Sequence, residues 1–194
     1  MSGTATNWNS VDLLRLVADL TGDKCADIVG FANDDVWTAT SNGDGTFAMA
    51  RATIAAFAYN QGWRTERHPR MCADLTGDGR ADIIGFGDDG AWMALSNGDG
   101  TFTEAGFVLA NLGFNQGWRT EQHPRFAADL TGDGRADIIG FGNDGVWTAL
   151  NNGDGTFSEA HFVIADLGVN QGWTVDDHQR FLADITGDGR ADIV

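Results

Sequence analysis

The stretch that decides the fold is Arg125-Phe126-Ala127-Ala128-Asp129-Leu130-Thr131-Gly132-Asp133-Gly134-Arg135-Ala136-Asp137-Ile138-Ile139-Gly140-Phe141. A short alternating segment enters a Gly/Asp turn and leaves it as an apolar run with β-branched isoleucines, the pattern of two strands joined by a tight loop. Working outward, Asn143-Asp144-Gly145 is a tight-turn signal and Val146–Leu150 reads as a third strand. Asn152-Gly153-Asp154-Gly155 is a second turn, Phe157–Leu167 a longer half-apolar strand, and Gly168–Gln179 a loop. No segment carries a sustained helical period with caps.

The stretch recurs. ADLTGDKCADIVGF starts at Ala18, ADLTGDGRADIIGF at Ala73 and Ala128, and ADITGDGRADIV at Ala183. Their leading aspartates, Asp19, Asp74, Asp129 and Asp184, set a constant period of 55. Residues 60–114 and 115–169 differ at 12 positions, which leaves 43 of 55 identical. All seven tryptophans occupy two repeat positions: Trp8, Trp63, Trp118 and Trp173 before the acidic loop, and Trp37, Trp92 and Trp147 after it. Four short strands per unit, glycine turns between them and a period near 50 predict a β-propeller blade. A β-solenoid repeats at about 20–30 residues and needs no pair of hairpin turns per unit. The chain therefore reads as all-β, a single propeller arc of about three and a half four-stranded blades, with units at about 5–59, 60–114, 115–169 and a partial 170–194.

Composition narrows the partners. The 194 residues hold 28 acidic against 12 basic side chains, a net charge of −16. Phosphate binding and adhesion to anionic membranes both need a basic surface, so nucleic acid is not expected as a partner. With 27 glycines but 2 prolines the chain is not collagen-like, and no apolar run approaches the ~18 residues of a membrane span. MSGTATNWNS has neither a charged n-region nor an apolar h-region, so no secretory signal is read; cytoplasmic synthesis is expected, with any release by a non-classical route. Cys25 and Cys72 fall at different repeat positions and read as single thiols.

The acidic loop places carboxylates at positions 1, 5 and 9, a threonine at 3, and a residue at 7 that can offer its carbonyl. The four sets are Asp19, Thr21, Asp23, Cys25, Asp27; Asp74, Thr76, Asp78, Arg80, Asp82; Asp129, Thr131, Asp133, Arg135, Asp137; and Asp184, Thr186, Asp188, Arg190, Asp192. This is the oxygen spacing of a calcium loop without the bidentate Glu at position 12, where Gly140 stands. Asp and Gly alone would also make a tight turn. Three like charges kept in four loops favour a structural Ca2+, held at roughly 10⁻⁶ to 10⁻⁴ M. Four such ions would halve the net charge. Lys24 replaces the glycine found at Gly79, Gly134 and Gly189. The Asn-Gly-Asp-Gly-Thr-Phe turns at Asn42, Asn97 and Asn152 have one carboxylate each and are expected to send Phe47, Phe102 and Phe157 into the core.

DLTGDGRADIIGFG followed by NNGDGTF resembles the FG-GAP/VCBS repeat of integrin-like β-propellers. The whole unit, with NQGWRTEQHPR, is similar to the blade of the fungal propeller lectins typified by that of Psathyrella velutina, over essentially all of residues 7–194. The resemblance implies a seven-bladed ring, calcium in the loops, and N-acetylglucosamine (GlcNAc) bound between consecutive blades.

The segment placed to read a sugar is the linker Asn115–Arg125, which joins one blade to the next on the face opposite the acidic loops. It combines an indole, amides, a guanidinium and an imidazole, a set suited to a neutral sugar. Three junction sets follow: Asn60, Gln61, Trp63, Arg64, His68; Asn115, Gln116, Trp118, Arg119, His123; and Asn170, Gln171, Trp173, His178, where Thr174 replaces the Arg and weaker binding is expected. Each Trp also suits wedge packing between sheets, and Trp37, Trp92 and Trp147 read chiefly as packing. At Trp8 the polar positions hold Asn9 and Leu13. The turns Asp88-Asp89-Gly90 and Asn143-Asp144-Gly145 share that face and can add a carboxylate. The expected function is a multivalent GlcNAc-binding lectin with calcium-stabilised blades; the alternative is an integrin-like propeller for protein–protein contact. No unrepeated catalytic triad and no phosphate loop is present, so no enzyme is expected. An arc of this length is expected to close with copies of itself or within a longer chain.

Overall fold

The computed structural model describes residues 13–194; Trp8 and Asn9 lie outside the described residues. Three four-stranded antiparallel sheets follow one another along the chain, each in simple meander order. The first comprises β1 (Arg15–Ala18), β2 (Asp27–Phe31), β3 (Val36–Ala39) and β4 (Arg51–Ile54). The second has β5 (Arg70–Ala73), β6 (Asp82–Phe86), β7 (Ala91–Ala94) and β8 (Gly106–Leu109). The third has β9 (Arg125–Ala128), β10 (Asp137–Phe141), β11 (Val146–Ala149) and β12 (His161–Ile164). A two-stranded sheet, β13 (Leu182–Ala183) and β14 (Asp192–Ile193), begins a fourth unit. These are propeller blades, three and a half of them.

The expected Phe157–Leu167 strand is shorter than its apolar pattern suggests. Phe157 forms an isolated bridge to Asn151, and the ladder resumes only at His161. Each β11-type strand then meets its outer partner across a register shift, at Val146/Trp147 and equivalently in the other blades.

The core lies between sheets. β6 and β10 are buried at every residue, which explains their continuous apolar runs: a neighbouring blade or linker covers both faces. At the first seam Phe31, Phe57 and Leu20 pack with Ile83 and Phe102; at the second, Phe86, Leu109 and Leu112 pack with Ile138 and Phe157. Phe102 and Phe157 therefore reach the core as expected. Phe47 does not: it is 44% exposed, because the phenyl at this position packs on the preceding sheet and the described residues provide none for the first blade.

Two features set the seam. The linker indole lies against a glycine of the next blade: a Cβ on Gly85 would stand 2.7 Å from Trp63, and one on Gly140 2.7 Å from Trp118. Beside it a buried arginine reaches back across the seam. Arg70, Arg125 and Arg180 each donate to the carbonyl of Phe57, Leu112 or Leu167, residues held at positive φ where the outer strand ends. Burial lowers Arg70 and Arg125 to about 10, so both remain cationic at neutral pH, over the rings of Phe31 and Phe86. Gly140→Ala forces the Trp118 ring out of this fit. It should cost roughly 1–3 kcal/mol, as overpacking does, read from the urea midpoint; an unchanged midpoint would contradict the seam as described.

Candidate functional site

Each linker opens with a 3-10 turn, Tyr59–Gln61, Phe114–Gln116 or Val169–Gln171, ended by a left-handed glycine, Gly62, Gly117 or Gly172. The turn stands on the β2–β3-type hairpin of its own blade. Asn60, Asn115 and Asn170 donate to Asp34, Asp89 and Asp144 at 2.6–2.7 Å, and Gln61 and Gln116 donate to the carbonyls of Asp34 and Asp89. The far end is latched to the following blade. His68 Nδ1 accepts the Arg64 N–H at 3.1 Å, which makes Nε2 the protonated nitrogen, and Nε2 donates to Asp88 at 3.0 Å. His123 repeats this with Arg119 and Asn143 at the same distances.

Between these two anchors lies a cavity. At the first seam it measures about 640 Å³, and Gln61, Trp63, His68, Asp88, Asp89 and Trp92 line it. At the second it measures about 270 Å³, with Gln116, Trp118, His123, Asn143, Asp144 and Trp147 in the same places. The structure thus brings together the Gln, Trp and His of each of these two sets. Asn60, Arg64, Asn115 and Arg119 are not among the lining residues. Arg64 and Arg119 donate to the carbonyls of Tyr59 and Phe114 and stack on those rings at 3.6 and 3.7 Å, bracing the linker. Val169 and Thr174 remove this brace from the third linker. There His178 is exposed; its Nδ1 accepts from Thr174, and its ring lies 5.3 Å from Trp173.

Trp92 and Trp147 face the cavities as well as packing edge-on against Phe107 and Phe162. The available signal was their place two or three residues beyond the turn that supplies Asp89 or Asp144.

The acidic loops sit at the opposite end of the blades and lock to one another. Ala81, Ala136 and Ala191 donate to the carbonyls of Asp19, Asp74 and Asp129 in the preceding loop at 2.7–2.8 Å. Arg80, Arg135 and Arg190 lie over Gly22, Gly77 and Gly132 of that loop and pair with Asp78, Asp133 and Asp188 of their own. The hard-oxygen donor set suits calcium, but its carboxylates do not converge. Asp129 accepts the N–H groups of Thr131, Gly132 and Gly134. Asp137 is buried and turned into the blade, accepting from Leu130 and Asn151, and burial raises its pKa. Among the described residues no three carboxylate, imidazole or thiol groups stand close enough to hold a cation. The carboxylates alone do not assemble a three-carboxylate cage, and each loop's leading aspartate is engaged by the loop's own N–H donors.

Residues 129–194 match the model of the FG-GAP-like repeat family. The chain carries an FG-GAP-like repeat. Its unit is similar to that of a solved lectin from Agrocybe aegerita, described as recognising non-reducing terminal N-acetylglucosamine, with 55% identity and a TM-score of 0.91 over 94% of this chain. The chain spans 46% of that lectin's length. A Photorhabdus luminescens Tc holotoxin pore structure shares the repeat fold at 21% identity and TM-score 0.65, over 92% of this chain and 8% of its own. No match was found among curated proteins.

Two outcomes test this geometry. If the loops close themselves, excess EDTA should move the melting temperature by less than about 2 °C, whereas an ion held at 100 times its Kd contributes about 2.7 kcal/mol and its loss would shift melting well beyond that. Burial, outweighing the opposing bonds to Asp88 and Asn143, lowers both His68 and His123 below 6.5. The neutral rings therefore contribute fully above pH 6.5, and that contribution is lost as pH falls toward the lowered folded values. Asp82, raised to about 6 chiefly by burial, acts in the opposite sense, so the comparison needs a variant that keeps it. Urea unfolding of His68→Gln/His123→Gln should lose less stability between pH 6.5 and 5 than the parent; an equal loss would contradict the neutral latch.

Proposed function

We propose that the chain is a multivalent lectin that binds terminal GlcNAc-type sugars in the seams between consecutive blades. The observation that carries this is the seam cavity itself, built twice at a 55-residue interval with two indoles, a hairpin carboxylate and a latched imidazole. The similarity to the Agrocybe aegerita lectin supports the sugar class.

The division of labour follows from the geometry. An indole face suits the C–H side of a pyranose, and Trp92 and Trp147, partly exposed, offer one to each cavity. Asp89 and Asp144 present acceptors for sugar hydroxyls, and Asn143 has an amide group beyond its bond to His123 for an acetamido oxygen. His68 and His123, with both ring nitrogens engaged, hold the rim in register. Asn60, Asn115, Arg64 and Arg119 act one step back by fixing the linker. No bond is made or broken in this reading, and no catalytic role is assigned. Repetition of weak sites on a rigid arc raises avidity for clustered glycans without new contacts.

Calorimetry with GlcNAc tests the assignment. Trp92→Ala/Trp147→Ala should weaken binding about tenfold at both seams, the scale of losing one aromatic contact of about 1.4 kcal/mol. Unchanged stoichiometry and affinity would remove the seams from consideration.

A further inference from the structure

We propose that the first seam, unlike the second, holds a subsite for the sugar residue next to the terminal one, and that position 56 controls it. This rests on the lectin reading and extends it from a terminal sugar to the linkage behind it.

The two cavities share nine equivalent lining positions, yet their volumes are about 640 and 270 Å³. The excess at the first seam is an annex walled by Ile54, Ala55, Phe57, Glu104 and Ala105. Their counterparts at the second seam are Leu109, Ala110, Leu112, Glu159 and Ala160, alike except that the smaller Leu112 replaces Phe57, yet none of them lines that cavity. Among the nine shared positions two differ. Asp88 and Asn143 are isosteric. Ala56 and Asn111 are not, and Asn111 brings an amide group to the wall of the second cavity. That amide is held in place, since its Oδ1 accepts the Leu112 N–H at 2.7 Å. Asp166 makes the same bond to Leu167 in the next unit, so the alanine is the departure.

The occupant follows from the chemistry. A glycan read at its non-reducing end continues from its reducing side, so its pocket must open in one direction. The annex is continuous with the indole-walled cavity and runs between the end of β4 and the approach to β8. Apolar Ile54, Ala55 and Ala105 suit pyranose C–H groups, and the exposed Glu104 carboxylate accepts sugar hydroxyls. At about 640 Å³ the space lies mid-range for ligand sites, while about 270 Å³ falls just below it, enough for a single sugar ring.

The test titrates the full chain with GlcNAc and with N,N′-diacetylchitobiose. Indole N–H resonances of Trp63 and Trp92 report the first seam, and those of Trp118 and Trp147 the second. The disaccharide should bind about fivefold more tightly than the monosaccharide at the first seam and equally at the second. Ala56→Asn, which installs the residue natural to the second seam, should bring the first-seam ratio to about one. Asn111→Ala should create the preference at the second seam. Monosaccharide binding with equal ratios at both seams, or a ratio indifferent to Ala56→Asn, overturns this inference alone. If neither sugar shifts any indole, the lectin reading falls and takes the subsite with it.

Discussion

An indole pressed against a glycine is the contact on which the rest of the structure depends. Trp63 on Gly85 and Trp118 on Gly140 leave no room for a Cβ, so the linker can approach the next blade only where the second strand has no side chain. The indole fixes the linker, and the linker carries its anchors in opposite directions: amides back to the preceding hairpin, and a histidine forward to the following one. The buried arginine one residue past the proline, or past Gln179 in the third linker, closes the same seam from below by capping a strained carbonyl. The cavity is the space these constraints leave unfilled.

The two ends of the blades solve different electrostatic problems. At the acidic-loop end, carboxylates are numerous but their charge is met locally, by backbone N–H groups and by an arginine that also rests on the neighbouring loop. That end is interlocked, and its side chains are committed. At the linker end the hairpin carboxylates each hold a linker amide or imidazole, while indoles and these same carboxylates also line the cavity walls.

The period of 55, the strand order and the hairpin turns were legible because each is a local signal repeated with little change. The roles of polar side chains were harder to read. Arg119 in a linker reads as a ligand donor, and only the position of the Phe114 carbonyl reveals it as a brace. Asp137 looks identical to Asp129 in the pattern, yet it turns inward to serve Leu130 and Asn151 because it sits at the first residue of a buried strand. Trp147 reads as core because its spacing is that of a strand; that it also walls a cavity depends on the neighbouring linker. The positive φ of Phe57, Leu112 and Leu167 has no composition signal, although the Asn111 and Asp166 that support two of them were visible.

A crystal structure of the chain soaked with GlcNAc measures the central claim directly. The account predicts sugar density in the seam beside Trp63 and Trp92, and again beside Trp118 and Trp147, within hydrogen-bond distance of Asp89 and Asp144. Sugar bound only at the acidic-loop end or on the outer strands, with both seams filled by solvent, would contradict it.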